Sequence, residues 1–123
     1  RQMVAPGVTT RQINREVHKF ITKSGASPCF MTDGGFPTAA CISVNDEIIH
    51  GIPGDRVLHE GDIVSVDVGA RYRGFNGDCA GTFPCGKCSD EALRLIRITR
   101  QSFFEGIQFA RVGKLDGKCC DGV

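Results

Sequence analysis

Apolar positions recur at helical spacing over residues 10–24, where Ile13, Val17, Phe20 and Ile21 fall on one face. Thr9 and Gln12 have the spacing of a capping box, and Val8 and Ile13 that of its hydrophobic staple. Gly25 stands where such a helix would stop. The period then changes. Residues 28–83 read as short strands between Gly- and Pro-rich turns, with residues 39–44 and 63–68 the clearest runs. A second helical stripe follows, capped by Ser89, with Ala92, Leu95, Ile96, Thr99, Phe103, Ile107 and Ala110 on its apolar face and Gly113 as its stop. Helix, several strands, helix predicts an α+β layer arrangement rather than alternating βαβ units. No repeat or linker interrupts the 123 residues, which make one domain's worth of chain at most.

One polar position sits inside an apolar run. Along 63–68, Val64, Val66 and Val68 share one strand face, and Ile63, Ser65 and Asp67 share the other. An ionised carboxylate in such a segment must be solvated, paired, hydrogen-bonded or bound to a cation. After a turn near residues 71–74, the returning strand carries Asn76, Asp78 and Ala80 on one face. An even loop centred between Tyr72 and Arg73 would set Asp67 directly opposite Asp78, with Cα atoms about 4.5–5.5 Å apart. Two carboxylates so close repel unless a proton or a cation lies between them. An odd loop would send them to opposite faces, each simply solvated or salt-bridged. Geometry alone leaves both arrangements open.

Composition narrows the class. Hydrophobic residues make up 41% of the chain and charged residues 24%, within the globular range. The formal net charge is +1 without a Lys/Arg block, so nothing asks for nucleic acid or an anionic membrane. No apolar stretch approaches the roughly 18 residues of a membrane span. Seven cysteines, an odd number, beside long periodic segments point to reduced thiols in a cytoplasmic protein rather than to a disulfide scaffold. His18 lies beside the first apolar stripe and reads as a surface histidine. Residues 115–123 carry no clear signal.

Several short pieces stand in a telling order: Pro6-Gly7-Val8-Thr9-Thr10, Gly35-Phe36-Pro37, Cys41-Ile42-Ser43-Val44-Asn45, His50-Gly51-Ile52-Pro53, Gly61-Asp62-Ile63-Val64, Asp67-Val68-Gly69-Ala70 and Gly77-Asp78. In that order and spacing the chain resembles the type I methionine aminopeptidases, metallopeptidases of the pita-bread fold, over nearly its whole length and more weakly after Val112. The resemblance implies the N-terminal half of that fold over residues 1–123, a single partial domain of antiparallel strands packed by two helices. It implies removal of the N-terminal methionine from nascent proteins, using two divalent ions (cobalt, manganese, iron or zinc) to activate water. By resemblance Asp67 and Asp78 are metal ligands, Asp78 bridging the two ions. His50 contacts substrate and assists the chemistry, and Phe36, Cys41 and Phe30 line the methionine pocket. A histidine before a Gly-Ile-Pro turn suits that proton work, being held on a stiff loop where it could donate a hydrogen bond.

The chain also departs from the family pattern. The family's site takes a further histidine and two glutamates, whereas the three histidines here are His18, His50 and His59. The remaining ligands are therefore expected from a C-terminal half or a second chain. Asp33 and Gly34 stand where an aromatic often lines the pocket, Asn76 replaces a histidine, and Cys79 follows Asp78 in place of Ser or Thr. Two other readings accompany the enzyme: a non-catalytic pita-bread binding or regulatory module, and a zinc-stabilised binding module built on Cys85, Cys88, Cys119 and Cys120.

Overall fold

Thr9 caps the first helix as its spacing predicts. In the computed structural model, which describes residues 2–113, its side chain accepts from the Gln12 N–H, and the Gln12 side chain accepts from the Thr9 N–H at 2.8 Å. Helix α1 runs Thr10–Lys23, and Gly25 takes the left-handed conformation just beyond it, at φ 73°. Ile13 and Ile21 of its stripe are buried, while Phe20 is 74% exposed. A short strand β1 (Ser27–Pro28) and a single turn α2 (Cys29–Thr32) lead to β2 (Ala40–Val44), β3 (Ile63–Tyr72) and β4 (Phe75–Pro84).

Strand β3 is the spine of the antiparallel sheet. It pairs with β4 along its whole length on one side; on the other, β2 pairs with Val64–Val68 and β1 with Ala70 and Arg71. The β3–β4 hairpin closes through Arg73 and Gly74, both left-handed at φ 51° and 85°. That two-residue turn matches the natural twist of paired strands. It centres the hairpin between Arg73 and Gly74, one residue later than the position that would oppose the two aspartates. Of the two arrangements left open, the structure has the two aspartates on one face but not directly opposed: Asp67 faces Ala80, and Asp78 faces Gly69. A shift of one residue in the turn moves the register by two, and because strand side chains alternate with period two, both aspartates stay on one face.

The two faces of the sheet differ in chemistry. Ala40, Ile42, Val44 and Val64 project to one side and join Ile13, Leu58 and Cys85 in the buried core, with Val8, Val17, Val66 and Val68 packed against it. An open apolar groove of about 890 Å³ continues on this side between α1 and strands β3 and β4, lined among others by Val17, Phe20, Val68 and Phe83. Cys41, Ser43, Ser65, Asp67, Gly69, Arg71, Asn76, Asp78, Ala80 and Thr82 occupy the opposite side. Leu58, fully enclosed at 0% exposure, anchors the core. Leu58→Ala is expected to cost about 2–5 kcal/mol. It should appear as a lower urea midpoint at unchanged slope. A midpoint within experimental scatter of the parent would contradict this placement of the core.

Residues 89–113 belong to a second compact unit, divided from the first after Cys88. Helix α3 (Asp90–Ile107) starts as expected: the Ser89 hydroxyl accepts from the Ala92 N–H at 3.2 Å, with Asp90 and Glu91 in the first turn, where acidic groups favour the helix dipole. It ends six residues short of the expected stop at Gly113. Beyond Ile107 the N–H groups of Phe109 and Ala110 turn to carbonyls three residues back, Gly106 and Ile107, instead of four. No side chain of α3 is buried. Among the described residues no helix is long and apolar enough to cross a membrane.

Candidate metal centre

Asp67 lies in the middle of β3, and Asp78 near the start of β4, as diagonal neighbours on the polar face. Residues so related have Cα atoms about 7–8 Å apart, close enough for carboxyl groups to meet. Here they do: burial, the Asp78 charge and a side-chain hydrogen bond with Asp78 together raise the Asp67 pKa above its ordinary value. His50 and the Val68 N–H act against that rise. The bond between the two carboxyl groups needs a proton on one of them. A divalent cation, which prefers hard oxygen ligands, satisfies the same pair without that proton. The two carboxylates thus fit a metal as part of its ligand set. Among the described residues no group of three or more His, Cys, Asp or Glu side chains is arranged to hold an ion.

Cys41 stands directly across β3 from Asp67 and is buried at 5% exposure. Burial, then the nearby charges of Asp67 and Asp78, push its thiol pKa up, which keeps it a neutral, apolar-like wall. Phe30 closes the other flank. At Gly69, the residue facing Asp78, an added Cβ would collide with the Phe30 ring and come within 2.6 Å of the Cys29 sulfur. Glycine at this position lets α2 lie on the strand beside the carboxylates. Phe36 is half-buried and joined to this element through its backbone, its N–H donating to the Phe30 carbonyl at 2.8 Å.

His50 arrives from outside regular structure. After β2 the chain loops out through Asn45, left-handed at φ 55°, and comes back along the free edge of β2. The Ile42 N–H donates to the Gly51 carbonyl at 2.8 Å, and the Gly51 N–H donates to the Ser43 hydroxyl at 3.0 Å. His50 itself is left-handed, at φ 57°, exposed, and near enough for its charge to act on Asp67. The structure therefore brings together Asp67, Asp78, His50, Cys41 and Phe30, with Phe36 attached through its backbone.

Other expectations resolve by strand parity and burial. Cys79, adjacent to Asp78 in sequence, projects to the opposite side of the sheet and lines the apolar groove with Val68. The lining of that groove is mainly apolar and includes one of the two carboxylates, Asp78, but not Asp67, so the polar face, where the two meet, is the candidate site. Asp33 is tied to Arg71, whose guanidinium donates to both carboxylate oxygens at 3.2 and 3.3 Å, an ion pair on the rim beyond Gly69. Cys85 and Cys88 are buried, with the Cys88 thiol donating to the Asp62 carbonyl at 3.3 Å; Cys119 and Cys120 lie outside the described residues. Sequence reasoning missed Ser43, Gly51, Gly69 and Cys29. Ser43, Gly51 and Gly69 stand inside the ordered pieces, but their roles were not legible there because each acts through a neighbour distant in the chain.

Residues 1–120 match metallopeptidase family M24. The chain is 52% identical over 109 residues to a methionine aminopeptidase of Clostridium acetobutylicum, covering 88% of this chain and 44% of that protein. It is 42% identical over 114 residues to methionine aminopeptidase 1 of Bacillus subtilis, covering 93% and 46%. Among solved structures, methionine aminopeptidase from Rickettsia prowazekii superposes with a TM-score of 0.83 at 38% identity, over 86% of this chain and 43% of that one. An Xaa-Pro dipeptidase from Bacillus anthracis shares the fold at a TM-score of 0.70 and 23% identity. The chain spans a little under half the length of the curated relatives it matches.

Proposed function

Because the chain belongs to metallopeptidase family M24, with its α+β pita-bread fold, we propose that it forms part of a methionyl aminopeptidase that removes the N-terminal methionine from nascent chains in the cytoplasm. The observation that carries this reading is the meeting of the Asp67 and Asp78 carboxyl groups on the face that also bears Cys41. Asp67 and Asp78 would hold part of a centre of two divalent ions, as two of its oxygen ligands. The remaining ligands come from outside these 123 residues, supplied by further chain or by a second chain.

Bound divalent ions supply a lowered pKa for water and a polarised carbonyl. The chain's own residues do the rest. The carboxylates orient the centre at the floor of the site. Cys41 and Phe30, with Phe36 attached to α2, make an apolar wall for an unbranched side chain such as methionine. His50 projects at the open edge, where it can donate to the peptide carbonyl or pass a proton toward the departing amine.

In protein purified from its source, chelation should abolish methionine release from a Met-Gly peptide, and manganese or cobalt should restore it. Release that ignores chelation would refute the reading. A second reading, a non-catalytic binding module, is favoured by the lack of a third ligand beside the aspartates among the described residues. It predicts binding of Met-first peptides without turnover, whatever metal is added.

A further inference from the structure

We propose that Ser43 is the positioning residue for His50, setting through a buried hydroxyl where the imidazole stands over the carboxylate pair. The proposal rests on the reading of His50 as the proton-handling group of the site.

The argument starts from backbone strain. A residue with a Cβ avoids positive φ, and His50 at 57° persists only if its surroundings over-determine it. Two attachments hold the residue that follows it. The bond from the Ile42 N–H to the Gly51 carbonyl, at 2.8 Å, ties the loop to the edge of β2. That bond holds the peptide between Gly51 and Ile52 and leaves the one between His50 and Gly51 free to turn. The second, from the Gly51 N–H to Ser43 Oγ at 3.0 Å, removes that freedom and points the peptide between His50 and Gly51. Ser43 is only 4% exposed, so water does not readily take the place of its hydroxyl. It also lies two residues along β2 from Cys41, on the same face as Asp67, so the loop it captures is set down on the side where the carboxylates are. The rest of the loop is held elsewhere: Glu47 accepts from the Val44 N–H at 2.9 Å and pairs with Arg56, and Gly54 exchanges hydrogen bonds with the Thr10 hydroxyl. Neither of those attachments reaches His50.

The test uses the full chain. Ser43→Ala should lower kcat on a Met-first peptide about ten- to hundredfold, the cost of a displacement near 1 Å, with KM within about twofold. The His50 ring-proton resonances should move toward those of a free histidine, assigned with the help of His18→Gln and His59→Gln. Ser43→Thr, which keeps the hydroxyl, should return both toward the parent values. A folded Ser43→Ala protein with unmoved His50 resonances overturns the proposal. Should Ser43→Ala fail to fold, amide exchange in the unmodified chain decides. A Gly51 N–H protected about tenfold or more supports the Ser43 bond, and exchange at the free-peptide rate overturns it. The resonance and exchange readouts need no turnover, so absence of aminopeptidase activity would reject the proposed function and leave the Ser43 assignment to be judged separately.

Discussion

Asp78→Asn is expected to do two opposite things: to lower metal-dependent methionine release about 10²–10³-fold, the scale on which single electrostatic groups act at a reacting centre, and to stabilise the metal-free protein at neutral pH. The first effect follows from the proposed place of Asp78 among the metal ligands. The second follows from Asp67, whose folded pKa is raised above 3.8 by burial, by the Asp78 charge and by the hydrogen bond between the two carboxyl groups. A raised carboxyl pKa contributes stability that is fully present below the unfolded value and is lost as pH rises through the folded value. The metal-free parent should therefore lose stability on going from pH 3.8 upward through the Asp67 transition. The variant should lose less, because only the burial part of the shift remains. Asp62 has the contrary sign. Burial pushes its pKa up, but hydrogen bonds from the His59 N–H and the Asn45 side chain overcome this and hold it low, so its contribution is lost on acidification. Thermal unfolding of both metal-free proteins at pH 4 and pH 7 separates these effects. A variant less stable than the parent at pH 7 would show that the two carboxylates do not oppose one another, and the case for a shared cation would go with it.

Gly51→Ala should be the most damaging small change near the site. An added Cβ would run into the Ile42 carbonyl oxygen, and would lie 2.8 Å from the Ile42 carbonyl carbon and 3.0 Å from the Ser43 Cα. These are backbone atoms of a paired strand, and they cannot move aside without breaking β2 from β3. Overpacking at about 1–3 kcal/mol, with the loss of a hydrogen bond worth about 1 kcal/mol, gives a destabilisation of about 2–4 kcal/mol. Since the same shift lifts His50 off its place, activity should fall even below the unfolding midpoint. Gly54→Ala is the internal control. Its Cβ would meet nothing nearer than the Ile52 oxygen at 4.0 Å, and its cost should stay within about 0.5 kcal/mol. Equal urea midpoints for the two variants would refute the close approach of Gly51 to the strand.

Much of this molecule is legible from neighbours a few residues apart. The Thr9–Gln12 box, the left-handed Gly25 and the Ser89 cap are each settled within one turn of helix, where a side chain either reaches an unpaired N–H or does not. Alternation along β3 likewise assigns Val64, Val66 and Val68 to the core side and Asp67 to the other. The ordered pieces from Pro6-Gly7 to Gly77-Asp78 are enough to place the chain in its family.

What local pattern did not reach is the placement of one element on another. A turn at Tyr72-Arg73 would need a left-handed tyrosine where one at Arg73-Gly74 uses a glycine, and the latter made the aspartates diagonal rather than opposed. The hold of Ser43 on Gly51 spans eight residues, and the seat of Phe30 on Gly69 joins elements separated by a long stretch of chain. Periodicity determines which way a side chain faces, because alternation is a property of the backbone itself. Which groups share that face as a site was decided only by the sheet register and by the few places where a glycine let one backbone approach another.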